Sequence, residues 1–196
     1  MIKTTSYPRA ALIGNPSDGY FGKTIAFTFS NFKVEVELTE SEKLEIIPEN
    51  RDRLSFNSIK ELVTEVEQNG YYGGIRLIKA AIKKFNDYCG EHNIQLPENN
   101  FTIGFSSTIP DRLGLAGSSA IVTASVKAIM EFYGVEIPKP ILANLILSVE
   151  KDELKIGAGL QDRVAQVYNC PMFMNFDKNL MEKQGFGEYI PFDKNL

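Results

Sequence analysis

Residues 121–133 are apolar on two helical faces, and this restricts the possible folds more than any other feature. Ile121, Ala124, Ala128 and Phe132 share one face, while Val122, Val126, Ile129 and Tyr133 share another. A helix of that kind has to be buried, so the remaining chain must supply layers around it. Upstream, Phe101, Ile103 and Phe105 alternate with smaller or polar residues, the period of a strand. Pro110 to Ala120, Pro-Asp-Arg-Leu-Gly-Leu-Ala-Gly-Ser-Ser-Ala, joins the two. The first turn of the buried helix is therefore expected to open into a cleft, where free backbone N–H groups meet the positive end of the helix dipole. Gly114 and Gly117 would let an anion approach the backbone, and Ser118 and Ser119 add hydroxyls. The same residues also fit a plain helix cap, with serine before an apolar run and glycines marking a turn.

Bulk properties narrow the function classes. A chain of 196 residues can bury one real core. Its 43% hydrophobic and 23% charged residues are those of an ordinary globular protein. A net charge of −4 without any dense basic run argues against nucleic acid as a partner. No apolar stretch is long enough to cross a bilayer, and Met-Ile-Lys-Thr-Thr-Ser-Tyr-Pro lacks the apolar core of a signal peptide. Cys89 and Cys170 are far apart with no CxxC spacing, so the expected compartment is a reducing cytoplasm. His92 is the one histidine, which removes His-rich zinc sites and leaves a Ser-His-Asp hydrolase a single candidate. The hydrolase elbow G-x-S-x-G also fails, because Gly117-Ser118-Ser119-Ala120-Ile121 ends in a bulky residue.

Periodicity predicts the remaining elements. Arg9 to Gly14 reads as a strand that breaks at Gly-Asn-Pro-Ser-Asp-Gly. Thr24 to Leu38 reads as one long strand or a strand pair, with Val34, Val36 and Leu38 on a dry face. Leu44, Ile46 and Ile47 suggest a further strand antiparallel to it. Ser58 to Gln68 has a capping box formed by Ser58 and Glu61, and Gly74 to Cys89 is a stronger helix that Gly90 is expected to stop. Helices over Pro138–Glu150 and Leu160–Tyr168 follow, then a strand over Met172–Phe176, and Tyr189 onward heads into another strand. Strands early and helices late predict an α+β fold with a sheet packed against helices.

Two constellations bear on chemistry. Gly22-Lys23-Thr24 ends like a Walker A loop, but the first glycine position holds Ser17 and the following residues read as strand, so a P-loop is excluded. Gly157-Ala158-Gly159-Leu160-Gln161-Asp162-Arg163 places Asp162 in the first turn of a helix within a glycine-dense setting. An aspartate there can simply complement the helix dipole. It can also accept or orient an alcohol in phosphoryl transfer, which needs a carboxylate facing positive groups. Glu150 is either a surface charge or, with a serine hydroxyl, a Mg²⁺ ligand.

Three stretches together resemble the GHMP family of small-molecule kinases. Tyr7 to Asp18 resembles the family's N-terminal motif, Pro110 to Ala120 its phosphate-binding motif, and Gly157 to Gln166 the segment with its catalytic aspartate. Within the family, Gly-Asn-Pro-Ser-Asp-x-Tyr-Phe-Gly and Ala-Gly-Leu-Gln-Asp-Arg-Val-Ala-Gln-Val-Tyr are most similar to the glucuronokinase branch. The resemblance implies ATP- and Mg²⁺-dependent phosphorylation of a sugar or sugar-acid hydroxyl, with D-glucuronate converted to its 1-phosphate as the best expectation. It implies that Pro110, Gly114, Leu115, Ala116, Gly117, Ser118, Ser119 and Ala120 cradle the ATP phosphates, and that Ser118 or Ser119, with Glu150, places Mg²⁺. Asp162 then accepts or orients the sugar hydroxyl, Arg9 sits near the transferring phosphate, and Asn15, Asp18 and Tyr20 contact sugar. Arg9, Arg112 and Arg163 are the candidate partners of a uronate carboxylate. The implied fold has two domains, the N-terminal one like domain 2 of ribosomal protein S5.

Two departures qualify these expectations. Gly-Asn-Pro-Ser-Asp replaces the Gly-Glu-His-x-Asp of galactokinase-like members, which disfavours galactose. The third, C-terminal glycine-rich motif of the family is not in this sequence. Residues 1–196 are accordingly expected to be the N-terminal ATP-binding domain, with the C-terminal domain absent from this chain. Three readings follow: a sugar kinase, a non-catalytic nucleotide- or sugar-binding module completed by a C-terminal half or a second copy, and a relative that uses the fold for another phosphate-dependent reaction.

Overall fold

The computed structural model describes residues 1–49, 57–60, 63–64, 73–111 and 113–192. The strands are β1 (Ile2–Ser6), β2 (Arg9–Ile13), β3 (Lys23–Thr28), β4 (Val34–Ser41), β5 (Glu45–Ile47), β6 (Asn100–Ser107), β7 (Met172–Asn175) and β8 (Glu188–Pro191). The helices are α1 (Gly74–Glu91), α2 (Gly117–Tyr133), α3 (Lys139–Ser148), α4 (Leu160–Tyr168) and α5 (Lys178–Gln184). A 3-10 turn occupies Ser17–Tyr20, and a wide π turn, Val149–Glu153, follows α3.

The fold is α+β, but its strands form two four-stranded sheets, ordered β1-β4-β6-β5 and β2-β3-β7-β8. The chain changes sheet across Tyr7-Pro8 and again between β3 and β4. Thr24 to Leu38 is thus a strand pair whose members lie in different sheets. In the first sheet, Val36 faces Phe105 and Leu38 faces Ile103 across an antiparallel ladder. Val34, Val36 and Leu38 are buried, as their alternation predicts. The expected antiparallel partner of Glu45–Ile47 is corrected: β5 runs parallel to β6 and does not pair with β4. A strand of three residues, Glu-Ile-Ile, has no period that encodes its neighbour.

The predicted two-faced helix α2 is the centre of the molecule. It packs on β1 and β4 on one side, on α4 on another, and alongside α1. Ile121, Val122, Ala124, Val126, Ala128 and Ile129 are all buried. The Thr4 hydroxyl donates to the Ala124 carbonyl at 2.7 Å, tying β1 to the helix. At its far end Phe101 meets Phe132 edge-on, with ring centroids 5.3 Å apart. The second sheet turns Thr24, Ala26, Met172 and Met174 inward towards α4.

Several boundaries differ from expectation. Helix α1 runs through Gly90 to Glu91 and ends at His92, where the His92 ring stacks on Tyr88. Strand β1 carries one large apolar residue, and α5 buries none, so neither shows a hydrophobic period; α5 is held at its start by the Asp177 carboxylate, which accepts from the Asn179 and Leu180 amides. The helix expected over 58–68 and its Glu61 lie largely outside the described residues. Phe101, fully buried between β4 and the end of α2, is a sensitive core position. Phe101→Ala is expected to cost about 3–5 kcal/mol of unfolding free energy, read from the shift in urea midpoint.

Candidate active site

The connection from β6 to α2 is built around one left-handed corner. Ala116, the residue before α2, has φ 60° and ψ 42°, a conformation that side-chain-bearing residues rarely take. Gly114 is also left-handed, at φ +70°, and no atom lies within 4 Å of where a side chain would begin, so the loop's outer face is open. Ala116 provides no side-chain cap, so the first-turn amides of α2 receive none from it. The alternative of a serine cap does not occur. Ser119 is buried and its hydroxyl donates backward to the Ala116 carbonyl at 3.0 Å, whereas Ser118 is half-buried in the first turn. Ala120 is buried behind them, Leu115 packs against the core, and Pro110 begins the loop half-buried.

Arg9 opens β2 beside this loop. Its amide donates to the Leu115 carbonyl at 3.1 Å, and its guanidinium pairs with the Asp162 carboxylate at the start of α4. The pair belongs to a row of alternating charge. The second Asp162 oxygen lies 3.3 Å from Arg163, which also donates to the Gly159 carbonyl at 2.8 Å and pairs with Glu150. Arg163 and Glu150 are almost completely buried, while the Asp162 side chain keeps 20% of its exposure. Two acids and two bases make the row neutral, which is the condition for taking such charges out of water. The exposed part of Asp162 is the acidic surface that the row leaves to solvent. Glu150 lies not at the end of the helix before it but in the π turn, with one carboxylate oxygen engaged by Arg163.

The loop Gly14–Gly22 reaches the same place from the second sheet. The Asp18 carboxylate accepts from the Gln161 amide at 3.1 Å and so caps α4 from outside, where Gly159 has no side chain to do it. A side chain at Gly159 would meet the Asp18 carboxylate, so a larger residue there would displace this cap. Asn15 is exposed, and Tyr20 is 80% exposed. Arg112 lies outside the described residues. A hollow of about 280 Å³ between α1 and α3, lined in part by Tyr88, His92 and Ile141, contains none of these residues.

The far end of α4 is clamped as well. Lys127, the one cation in the apolar middle of α2, points its ammonium at the Gln166 and Val167 carbonyls, at 3.2 and 3.4 Å. Helix α4 thus has an acid at its N-terminus and a base at its C-terminus, both matching its dipole. A single lysine inside a buried apolar run is a visible signal in the sequence; the acceptor it serves is not.

Residues 76–170 match the family model described as the GHMP kinases N terminal domain. Glucuronokinase 1 of Arabidopsis thaliana is 46% identical over 100% of this chain and 54% of its own length. Probable glucuronokinase 2 of the same plant is 47% identical over 97% of this chain and 53% of its own. The chain carries a GHMP kinase N-terminal domain. It spans about half the length of the curated relatives it matches. Among solved structures, the mevalonate kinase of Methanococcus jannaschii aligns with a TM-score of 0.66 at 22% identity, over 98% of this chain and 55% of that one. The galactokinase of Lactococcus lactis aligns with a TM-score of 0.69 at 17% identity, over 97% and 47%. These structural likenesses concern the fold alone. Among the described residues no helix is long and apolar enough to cross a membrane.

Burial lowers the Lys127 pKa to about 8, with the nearby Lys139 charge adding to the effect. Between that value and the ordinary 10.5 of the unfolded chain, the unfolded state holds the proton that the folded state has shed. Stability therefore rises with pH across this window. In chemical denaturation at pH 7 and pH 9.5, the unfolding free energy of the wild type is expected to gain on that of Lys127→Met as the pH rises.

Proposed function

We propose that this chain is the nucleotide-binding half of an ATP-dependent sugar kinase acting on a sugar-acid hydroxyl, with D-glucuronate converted to its 1-phosphate. The observation that carries the reading is the pairing of Asp162 with Arg9, whose backbone is bonded to the uncapped loop before α2. An acceptor for an alcohol proton and a cation thereby stand beside a set of free helix N-terminal amides. That combination serves phosphoryl transfer, in which catalysis is largely positioning and charge stabilisation. The 46% identity to an Arabidopsis glucuronokinase over the full chain supports the sugar acid.

The loop before α2 supports a nucleotide seat, while among the described residues no group of three or more His, Cys, Asp or Glu side chains gathers as a metal site. Open space outside Gly114, the left-handed corner at Ala116 and the first-turn amides of α2 make a concave seat for phosphate oxygens. Ser118 and Glu150 would hold Mg²⁺, an ion that takes one or two carboxylates and leaves its other positions to phosphate and water. Of the two serines, Ser118 is the more available, since the Ser119 hydroxyl is already committed to Ala116. MgATP supplies the terminal phosphoryl group and neutralises its charge when bound. Asp162 takes the proton of the sugar hydroxyl as its oxygen bonds to phosphorus and ADP leaves. Arg9 stays paired with Asp162 and offers its remaining N–H groups to the transferring phosphoryl group. Asn15 and Tyr20 contribute sugar contacts from the rim, with Asp18 behind them holding α4. Arg163 stays with Glu150 and orients Asp162.

The test is ADP release by this chain with MgATP and a panel containing D-glucuronate, other uronates and hexoses. Turnover with a uronate is the expected result. Silence with every sugar, even after a polypeptide matching the remaining half of a glucuronokinase is added, would overturn the reading. The half-length match favours one second reading, a module that binds nucleotide without turnover; binding without ADP release would establish it. Asp162→Asn is expected to lower turnover by at least about a hundredfold while nucleotide affinity stays nearly unchanged, measured by single-turnover kinetics and calorimetry. Ser118→Ala is expected to weaken binding of the magnesium complex more than binding of free nucleotide, read by titration with and without Mg²⁺.

A further inference from the structure

Gln166 belongs to the same helix as Asp162, one turn further on, and faces away from solvent with only 1% of its surface exposed. Its side-chain nitrogen donates two hydrogen bonds that leave the helix. One goes to the Tyr7 carbonyl at 3.1 Å, in the turn before Arg9. The other goes to the Ala116 carbonyl at 2.9 Å, in the phosphate loop. Both neighbours are acceptors, so the amide can be oriented only with its NH₂ towards them. The carbonyl end has no partner among the described residues. A half-satisfied buried amide is a poor way to gain stability, and such a group calls for another explanation.

The acceptor it reaches is the residue under strain. Ala116 adopts a left-handed conformation that favours glycine, and it will leave that state unless its neighbours hold it. Three donors converge on its carbonyl: the Ala120 amide at 3.1 Å, the Ser119 hydroxyl at 3.0 Å and Gln166. The first two belong to α2 itself. Gln166 is the donor that arrives from the helix of Asp162, and its other bond reaches the turn that precedes Arg9.

We propose that Gln166 is a positioning residue that locks the left-handed phosphate-loop corner to the Asp162–Arg9 pair, so that both halves of the site keep one geometry. The bonding pattern stands on the structure alone; its catalytic meaning rests on the kinase reading above. Gln166 touches no reacting atom. It acts through Ala116 and Tyr7.

The experiment compares the wild type with Gln166→Met, which keeps the length of the side chain and removes both donors, and with Gln166→Met combined with Ala116→Gly. Glycine adopts the left-handed corner without strain, so it replaces the lost restraint by a different physical route. The first readout is amide hydrogen exchange by NMR in the absence of nucleotide, at Arg9, whose amide is bonded to Leu115, and at Ala120, bonded to Ala116. Loss of the two bonds is expected to speed exchange at these amides by about tenfold relative to those of β4 and β6, and the double variant should recover most of that protection at Ala120. Uniform acceleration across β4, β6 and the loop, or no acceleration, would overturn the proposal, because either means that Gln166 only supports the core. The second readout is nucleotide affinity and turnover. Gln166→Met should raise the KM for ATP and lower kcat together, with the glycine restoring KM more than kcat. If exchange responds as expected but no variant or wild type binds nucleotide, the clamp stands and the kinase reading falls. If Gln166→Met does not fold, Gln166→Leu, which also carries no donor, takes its place in the same comparison.

Discussion

Burial of α2 on two faces is the constraint from which the site follows. Enclosed by β1, β4, α1 and α4, the helix is buried continuously from Ser119 to Val126, so its first turn is where the buried stretch meets solvent. At the N-terminal end, the chain arrives through a left-handed alanine that supplies no cap. The donors left over sit at the mouth of a helix that is packed on several sides. An anion placed there meets amides that need no reorganisation, which is why a buried helix start serves better than one on a mobile surface.

Around that point the structure spends its polar groups on alignment. The Glu150–Arg163–Asp162–Arg9 row is electrically neutral and mostly out of water. Buried ion pairs of this kind contribute little net stability, yet removing one partner strands a charge at a cost of about 3–5 kcal/mol. The row therefore constrains where Asp162 can be more than it strengthens the fold. Asp18 and Lys127 act on the same helix from opposite ends, each opposing the helix dipole with a charge of the suitable sign. Gln166 completes the arrangement by linking that helix to the loop before α2. Elements distant in sequence meet here through hydrogen bonds and ion pairs laid over the hydrophobic core that α2 and α4 share.

The sequence was most legible where one physical period dominated. The double apolar face of 121–133, the alternation of Val34, Val36 and Leu38, and the start of α4 just after Gly159 each appear in the structure where the pattern put them. Glycine was less sharp as a terminator: Gly90 is the penultimate residue of α1, which closes one residue later at Glu91. Strand partners were not legible at β5, since a strand of three residues, Glu-Ile-Ile, carries no information on direction. The split of Thr24–Leu38 between two sheets was equally hidden, because alternation describes a strand's faces and not the sheet it joins. The serines illustrate a finer limit. Ser118 and Ser119 are indistinguishable by type and spacing, and the helical turn alone sends one hydroxyl back into the protein and leaves the other at the surface.

By itself, the order of residues determined that a helix must be buried, that a glycine- and serine-rich loop leads into it, and that an aspartate opens a later helix. These are local matters, set by side-chain volume, polarity and backbone freedom over a few turns. Only the tertiary structure decided that Asp162 meets Arg9 from the other end of the chain, that Asp18 caps a helix 143 residues away, and that Gln166 reaches the loop at Ala116. Each of those contacts is a hydrogen bond or ion pair whose geometry depends on how whole layers pack. No period along the chain records it, because the closing of the layers around α2 is what brings donor and acceptor within reach.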